Sequence, residues 1–284
     1  MPIRLAIFDL DDTLSDHLHS CACGIEALRE QFPVLTSWPL DELVAQHFAL
    51  LDEWHRKILS GAETAESARR KRNRAFLDAG GLATADAAVF DVAVTCYERG
   101  YTNGRRAVPG APDLLRGLHL RGISIAVLTN HYSLPEQQDK LAECGLTHLV
   151  DHLFVSADIG HTKPDKAAFA AVLSSCACDA QCAVMVGDLL TTDIEGALSA
   201  GLHAVWLNRL RAPVPGGLRA QVLDSFEPPE RSIATILAPT DLRDRSGHCT
   251  KTPHAAPAKM AMDTKTSVQY RGHHHTKSPT TPLK

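Results

Sequence analysis

Short apolar runs alternate with longer amphipathic stretches over most of the chain. Five runs have the length and the branched-aliphatic content of buried strands, and they lie at residues 3–8, 123–128, 152–155, 183–186 and 204–207. Helical patterns follow or separate them at about residues 111–121, 135–144, 165–175 and 191–200. Strands that alternate with helices of this length are typical of βαβ units. The pattern therefore predicts an α/β core with a parallel sheet and helices on both faces.

Residues 17–106 interrupt this alternation. They carry helical patterns near 18–31, 40–59, 62–79 and 84–99 and no strand signal of comparable strength. A segment that leaves the carboxyl end of the first strand and returns to the same body must pack over that edge of the sheet. We therefore predict a core of residues 1–16 and 107–240 with a helical cap, residues 17–106, inserted into it.

The last 44 residues have a different composition from the rest. Residues 241–284 contain few branched aliphatic residues and many Thr, Lys, His and Pro, so we predict a disordered tail. The tail holds 8 basic and 3 acidic residues, which leaves 21 basic and 30 acidic residues in positions 1–240. An acidic body argues against nucleic acid as a partner.

Neither a membrane span nor a signal peptide is predicted. No window reaches about 18 consecutive apolar residues, and the first apolar run is interrupted early by aspartates. The expected location is therefore the cytoplasm. The eight cysteines are too few for a disulfide scaffold, and we expect free thiols.

A cluster of aspartates follows the first predicted strand directly. Asp9 and Asp11 are two residues apart, and two carboxylates at a strand end can face one ligand and bind a hard cation such as Mg2+. One of them can then attack phosphorus while the other acts as acid and base. Taken alone, the same residues also suit an acidic turn or a helix N-terminus.

Three further polar groups follow later strands or open a helix near the same edge. They are Thr129 with Asn130, Lys163 before Pro164, and Gly187-Asp188 with Asp193. A hydroxyl and an amide-rich turn can hold phosphate oxygens, a lysine can neutralise them, and carboxylates can complete a metal site. Each group also has an ordinary structural interpretation. Four such groups in sequence order favour a phosphoryl-transfer site.

With these motifs, FDLDDT, LTN, the lysine of TKPD and GDLLTTD, the chain resembles the haloacid dehalogenase superfamily of phosphatases over residues 3–238. It is most similar to the group that contains pyrimidine 5'-nucleotidases and N-acylneuraminate-9-phosphatase. The resemblance implies a Rossmann-like core, a type 1 helical cap, an obligatory Mg2+ and a phospho-aspartate intermediate.

The same resemblance implies a role for each acidic residue. Asp9 would be the nucleophile and a Mg2+ ligand. Asp11 would protonate the leaving oxygen and then deprotonate water, with its backbone carbonyl on the metal. Asp188 would complete the metal shell, and Asp193 would orient Lys163 or a metal-bound water.

It also implies that Thr129 and Lys163 hold the transferring phosphoryl group, with backbone N–H groups near Asn130 assisting. Dehalogenases similar to this chain carry an aromatic residue where Asp11 stands, and an aromatic ring cannot protonate an alkoxide. P-type ATPases carry threonine there and have transmembrane helices. Asp11 therefore favours a phosphatase or a phosphomutase.

The sequence thus predicts a Mg2+-dependent phosphomonoester hydrolase for a small soluble metabolite, such as a nucleoside 5'-monophosphate or a sugar phosphate. Two alternatives stay open. A phosphomutase would shield the phospho-aspartate from water and return the phosphoryl group to the substrate. A catalytically idle member of the fold would serve as a binding module.

Weaker signals lie outside the motifs. The basic run at residues 69–74 could offer a cation to a substrate carboxylate or phosphate, although a solvated helix face is the preferred interpretation. His131 points either into the mouth of the site or to the surface. Cys176, Cys178 and Cys182 are interpreted as small apolar filler rather than as metal ligands.

Overall fold

Six parallel strands form the centre of the structure, a computed structural model that describes residues 1–238. In chain order they are β1 (Leu5–Phe8), β2 (Ser124–Thr129), β3 (His152–Val155), β4 (Ala183–Gly187), β5 (His203–Leu207) and β6 (Gln221–Leu223). Their order in the sheet is β3-β2-β1-β4-β5-β6. The predicted α/β fold with a parallel sheet is confirmed. The sixth strand was not predicted, because three residues at a sheet edge carry too short an apolar signal.

Both faces of the sheet are covered, which explains why the strands are almost continuously apolar. Along β1, Leu5 and Ile7 belong to one apolar cluster while Ala6 and Phe8 belong to the other. Successive side chains of a strand point to opposite faces, so each strand contributes to both clusters. The carboxyl ends of all six strands meet at one edge, with β1 between β2 and β4.

Ten α-helices flank the sheet or lie in the insertion within the described residues. Five lie between β1 and β2, and the first four of them are α1 (His17–Gln31), α2 (Leu40–Leu59), α3 (Ala65–Ala79) and α4 (Ala87–Asn103). The others are α5 (Ala111–His119), α6 (Leu134–Glu143), α7 (Ser156–Ile159), α8 (Lys166–Ser175), α9 (Gly196–Ser199) and α10 (Pro229–Leu237). A wide helical turn over Leu190–Glu195 leads into α9.

Helices α1 to α4, which we call the helical insertion, pack around an apolar cluster of their own that includes Ile25, Phe76 and Phe90. The insertion also contacts the carboxyl edge of the sheet, where the Nε2 atom of His55 lies 3.0 Å from the carbonyl oxygen of Asn130. The exact domain boundaries given above stay predictions. The disorder predicted for residues 241–284 lies outside the described residues.

Two further features concern the helices and the cysteines of the described residues. Over residues 1–238, no helix combines the length and the apolar character needed to cross a lipid bilayer. The seven cysteines of this part of the chain are all free thiols.

Candidate active site

Asp9 follows the last residue of β1 at the centre of the carboxyl edge. Its N–H donates to the carbonyl oxygen of Val186 on the neighbouring strand β4, over 2.9 Å, so the parallel pairing of the two strands continues to the aspartate. The residue is only 8% exposed. Burial raises the pKa of Asp9 to about 7, and the ammonium group of Lys163 opposes this rise.

Lys163 lies between two carboxylates. Its Nζ atom donates to Oδ1 of Asp9 over 2.6 Å and lies 2.8 Å from Oδ1 of Asp193. Burial alone would lower the pKa of this lysine, but the charges of Asp193 and Asp9 raise it above its ordinary value. Lys163 therefore stays charged at the bottom of the site, as a cation for phosphoryl oxygens must.

The main chain of Lys163 is held by the side chain of Asn130. The amide Nδ2 donates to the carbonyl oxygen of Lys163, and the Oδ1 atom accepts its N–H, both over 2.8 Å. Asn130 follows β2, so this contact fixes a loop residue against the end of a strand. Sequence reasoning placed Asn130 beside the phosphoryl group through its backbone and did not foresee this use of its side chain.

Asp9, Asp188 and Asp193 form the metal-binding candidate of the described residues. Each offers one carboxylate oxygen, and these oxygens lie within 4.8 Å of one another. Burial, followed by the charges of Asp9 and Asp193, raises the pKa of Asp188 well above its ordinary value. A hard divalent cation relieves this repulsion and takes oxygen ligands, so the donor set fits Mg2+.

Gly187 explains how Asp193 reaches this cluster. A Cβ atom at position 187 would lie 2.3 Å from Oδ2 of Asp193, a distance that no side chain tolerates. The same Oδ2 atom accepts the N–H of Leu189 over 3.1 Å. The absence of a side chain at Gly187 therefore lets the aspartate lie directly against the end of β4.

Asp11 has a separate partner. The Nζ atom of Lys140, on α6, donates to Oδ1 of Asp11 over 2.5 Å, and Nδ1 of His17 lies 4.0 Å from the same oxygen. Burial raises the pKa of Asp11, but Lys140 and then His17 lower it below its ordinary range. Sequence reasoning missed Lys140 and His17. Lys140 is marked by its burial, since only 5% of this lysine is exposed. That burial is visible only in the folded structure.

The remaining predicted residue, Thr129, is the last residue of β2 and is buried. The structure thus brings all the predicted acidic residues, Thr129, Asn130 and Lys163 to the same edge of the sheet. The side-chain carboxylate of Asp11 lies outside the metal-binding candidate, beside Lys140. The roles assigned to these residues stay predictions.

Aromatic and imidazole rings from the insertion and from the loop after β2 meet above this edge. The ring of His131 stacks on Tyr132 at a centroid distance of 4.2 Å and lies 6.2 Å from the ring of His55 on α2. The hydroxyl of Tyr132 accepts a hydrogen bond from Arg69 on α3. His131 therefore faces the helical insertion, which favours the first of the two orientations expected for it.

Comparison with known proteins agrees with this geometry. Residues 3–201 match the family described as haloacid dehalogenase-like hydrolase. The chain is 30% identical to the HAD-hydrolase YfnB of Bacillus subtilis over 207 residues, which are 72% of this chain and 84% of that protein. It is 31% identical to the phosphoserine phosphatase of Thermus thermophilus over 228 residues, which are 73% of this chain and 89% of that protein.

Two further similarities bear on the fold and on the group. The crystal structure of YfnB bound to magnesium matches 82% of this chain and 99% of its own, with a TM-score of 0.64 and 26% sequence identity. The pyrimidine 5'-nucleotidase YjjG of Escherichia coli is 36% identical over 113 residues, which are 39% of this chain and 49% of that protein. The resemblance predicted from the motifs is confirmed.

Proposed function

The chain belongs to the haloacid dehalogenase-like hydrolase family, and we propose that it is a Mg2+-dependent phosphomonoesterase acting on a small phosphorylated metabolite. It is a hydrolase of the phosphatase type. The observation that carries the proposal is the placement of the Lys163 ammonium group between Asp9 and Asp193, with Asp188 beside them. Nucleophilic phosphoryl transfer needs a carboxylate nucleophile, a fixed cation and a metal site, and this arrangement offers all three.

In the proposed reaction, a carboxylate oxygen of Asp9 attacks phosphorus, and the bond from phosphorus to the leaving oxygen breaks. The carboxyl group of Asp11 gives its proton to that oxygen. The product alcohol leaves, and an acyl phosphate remains on Asp9. Water then attacks phosphorus and gives a proton to Asp11, which releases inorganic phosphate and restores both carboxyl groups.

Thr129 and Lys163 hold the phosphoryl oxygens during both steps, and Lys163 neutralises part of their charge. Mg2+ would be held by Asp9, Asp188 and the backbone carbonyl of Asp11, and it supplies positive charge for the carboxylates and the transferring group. Asp193 acts through Lys163, whose Nζ it contacts at 2.8 Å. The cytoplasmic location stays a prediction.

Release of phosphate from p-nitrophenyl phosphate, with Mg2+ or with EDTA, tests the proposal. A screen of phosphorylated metabolites then identifies the substrate class. We expect Asp9→Asn to abolish turnover, because an amide does not attack phosphorus. The control is Asp179→Asn, an exposed aspartate at a distance from the cluster, which we expect to match the parent protein.

Three outcomes contradict the proposal. Activity of Asp9→Asn close to that of the parent protein removes the nucleophile assigned here. Conversion of a sugar phosphate into its isomer without phosphate release indicates a phosphomutase. No hydrolysis of any phosphomonoester in the presence of Mg2+ indicates a catalytically idle binding module.

A further inference from the structure

The basic run of α3 contains five cations, and four of them contact described residues outside the run. Arg69 donates to Tyr132 and pairs with Glu136, Arg70 lies over the ring of Phe90, Lys71 pairs with Glu63, and Arg74 donates to the carbonyl oxygen of Thr84. Most cations of the run therefore make contacts within the folded chain. The fifth cation, Arg72, has no acidic partner within residues 1–238.

Arg72 lies on the side of α3 that packs into the insertion. Ala68, Arg72 and Phe76 are four residues apart, so they share one face of α3. Ala68 and Phe76 are buried, and this face is therefore the one that packs into the insertion. The Nε atom of Arg72 is buried without a hydrogen-bond partner, and one Nη atom makes a single long contact of 3.4 Å with Asn73.

The charge of Arg72 affects the pKa of two histidines, His47 and His17. Burial is the main reason that the pKa of His47 falls to about 3, and the nearby guanidinium group lowers it further. Arg72 also contributes to lowering the pKa of His17, after burial and Lys140. Arg69, one turn before Arg72 on α3, donates to Tyr132 and pairs with Glu136, so this part of the helix faces the loop after β2 and α6.

The two buried lysines of the active site are matched by carboxylates. Lys163 lies between Asp9 and Asp193, and Lys140 pairs with Asp11. A guanidinium group that is partly removed from water and left without an anion costs free energy unless a ligand supplies one. The planar fork of an arginine suits a carboxylate or a phosphate.

We propose that Arg72 binds a second anionic group of the substrate, a carboxylate or a phosphate, remote from the phosphoryl group that is removed. This inference rests on the proposed phosphomonoesterase function and names its substrate class. Phosphorylated acids and bisphosphates are then preferred over nucleoside 5'-monophosphates and neutral sugar phosphates, which lack a second anion.

Matched substrates isolate this contact. 2-Phosphoglycolate and ethyl phosphate differ essentially by one carboxylate, and 1,3-propanediol bisphosphate and propyl phosphate differ by one phosphate. The measurement is the ratio of kcat/KM within each pair, with Mg2+ present. We expect the full chain to prefer the anionic member of at least one pair by about tenfold or more. The pair with the larger ratio shows whether the second anionic group is a carboxylate or a phosphate.

Two variants of α3 provide the comparison. We expect Arg72→Gln to reduce the preferred ratio by about tenfold, mainly through KM, and Arg72→Lys to restore part of it, since lysine keeps the charge but not the fork. Arg70→Gln, which removes an exposed cation from the same helix, should leave both ratios unchanged. Melting temperatures of the variants confirm that they fold.

Two results overturn the inference if p-nitrophenyl phosphate is still hydrolysed. One is an equal kcat/KM of the full chain for both members of each pair. The other is an equal fall of kcat/KM for both members in Arg72→Gln. If the full chain hydrolyses nothing, the proposed function fails, and calorimetric binding of 2-phosphoglycolate and ethyl phosphate to Asp9→Asn still tests Arg72. Equal affinities of that variant for the two compounds, or affinities unchanged by adding Arg72→Gln, count against the anion site.

Discussion

Asn130 binds both main-chain polar groups of Lys163, with each of its two hydrogen bonds measuring 2.8 Å. The two residues are 33 positions apart in the sequence. The lysine therefore owes its position at the bottom of the site to an amide at the end of β2, and not only to the two carboxylates that its Nζ contacts. This arrangement gives Asn130 a role that differs from direct phosphate binding.

We expect Asn130→Ala to lower kcat by about tenfold or more, because small displacements of a positioned group are costly to catalysis. Loss of the two hydrogen bonds should also reduce the free energy of unfolding by about 2 kcal/mol. Asn208→Ala is the matched control, since Asn208 makes the same pair of contacts with the main chain of Ala212, also at 2.8 Å. A similar fall of kcat in both variants would show that general destabilisation, not the position of Lys163, is responsible.

Removal of the buried ammonium group is predicted to affect stability and activity together. In Lys163→Met, the carboxylates of Asp9 and Asp193 lose the cation between them. Breaking a buried ion pair by removing one partner costs about 3–5 kcal/mol. We expect a loss of this size in chemical denaturation with EDTA, and no measurable turnover. Lys166→Met, three residues away and exposed, should behave as the parent protein.

Much of this site follows from the sequence, because its groups stand at the ends of strands. Apolar runs that are buried on both faces are recognisable, and the parallel arrangement brings Asp9, Thr129 and Asp188 to one edge. Lys140 could not be predicted in this way. It belongs to a polar stretch of α6, and its partner Asp11 lies 129 positions earlier, so only the packing of that helix shows that the lysine is buried.

For the basic run of α3, the sequence offered a substrate-binding cation, but a solvated helix face was the preferred interpretation. A charge run is usually a solvated helix face, and most of this one makes structural contacts. The spacing of Ala68, Arg72 and Phe76 places Arg72 on the buried side of the helix. Which face of α3 is buried depends on how α1, α2 and α4 surround it, and that information is not local in sequence.

Magnesium binding is predicted to depend on pH. The pKa of Asp9 is about 7, and that of Asp188 is also raised, so protons compete with a cation for these carboxylates in the acidic range. The increase in melting temperature on adding Mg2+ should therefore be larger at pH 8 than at pH 6. Asp188→Asn should remove most of the increase, while the exposed Asp158→Asn retains it. An increase independent of pH would contradict this prediction.

His47 should make the helical insertion sensitive to acid. Burial, together with the charge of Arg72, lowers the pKa of this histidine from 6.5 to about 3. The unfolded chain takes up a proton that the folded chain does not, so the contribution of His47 to stability is lost as the pH falls below 6.5. Between pH 7 and pH 4.5 the loss amounts to about 3 kcal/mol.

The variant His47→Gln isolates this effect, because glutamine does not titrate and can still bond to the hydroxyl of Tyr97, which lies 2.8 Å from Nε2. The difference in unfolding free energy between His47→Gln and the parent protein should shift by about 3 kcal/mol in favour of the variant between pH 7 and pH 4.5. His152→Gln, on the exposed edge of the sheet, serves as the control. A constant difference across this range argues against a buried neutral imidazole.

Lys140→Met should shift the pH dependence of catalysis upward. Lys140 lowers the pKa of Asp11, so its removal raises that pKa and extends the acid form of Asp11 to higher pH. An alkyl phosphate needs the acid form for its leaving oxygen, and kcat/KM reports the first transfer step. The alkaline fall of kcat/KM for ethyl phosphate should thus move to higher pH in Lys140→Met.

This alkaline fall should stay at the same pH in the control variant Lys57→Met, which removes a surface lysine paired with Glu53. For p-nitrophenyl phosphate, whose leaving group needs no proton, we expect a smaller shift. If kcat/KM for ethyl phosphate falls at the same pH in Lys140→Met and in the parent protein, Lys140 does not control the proton transfer by Asp11.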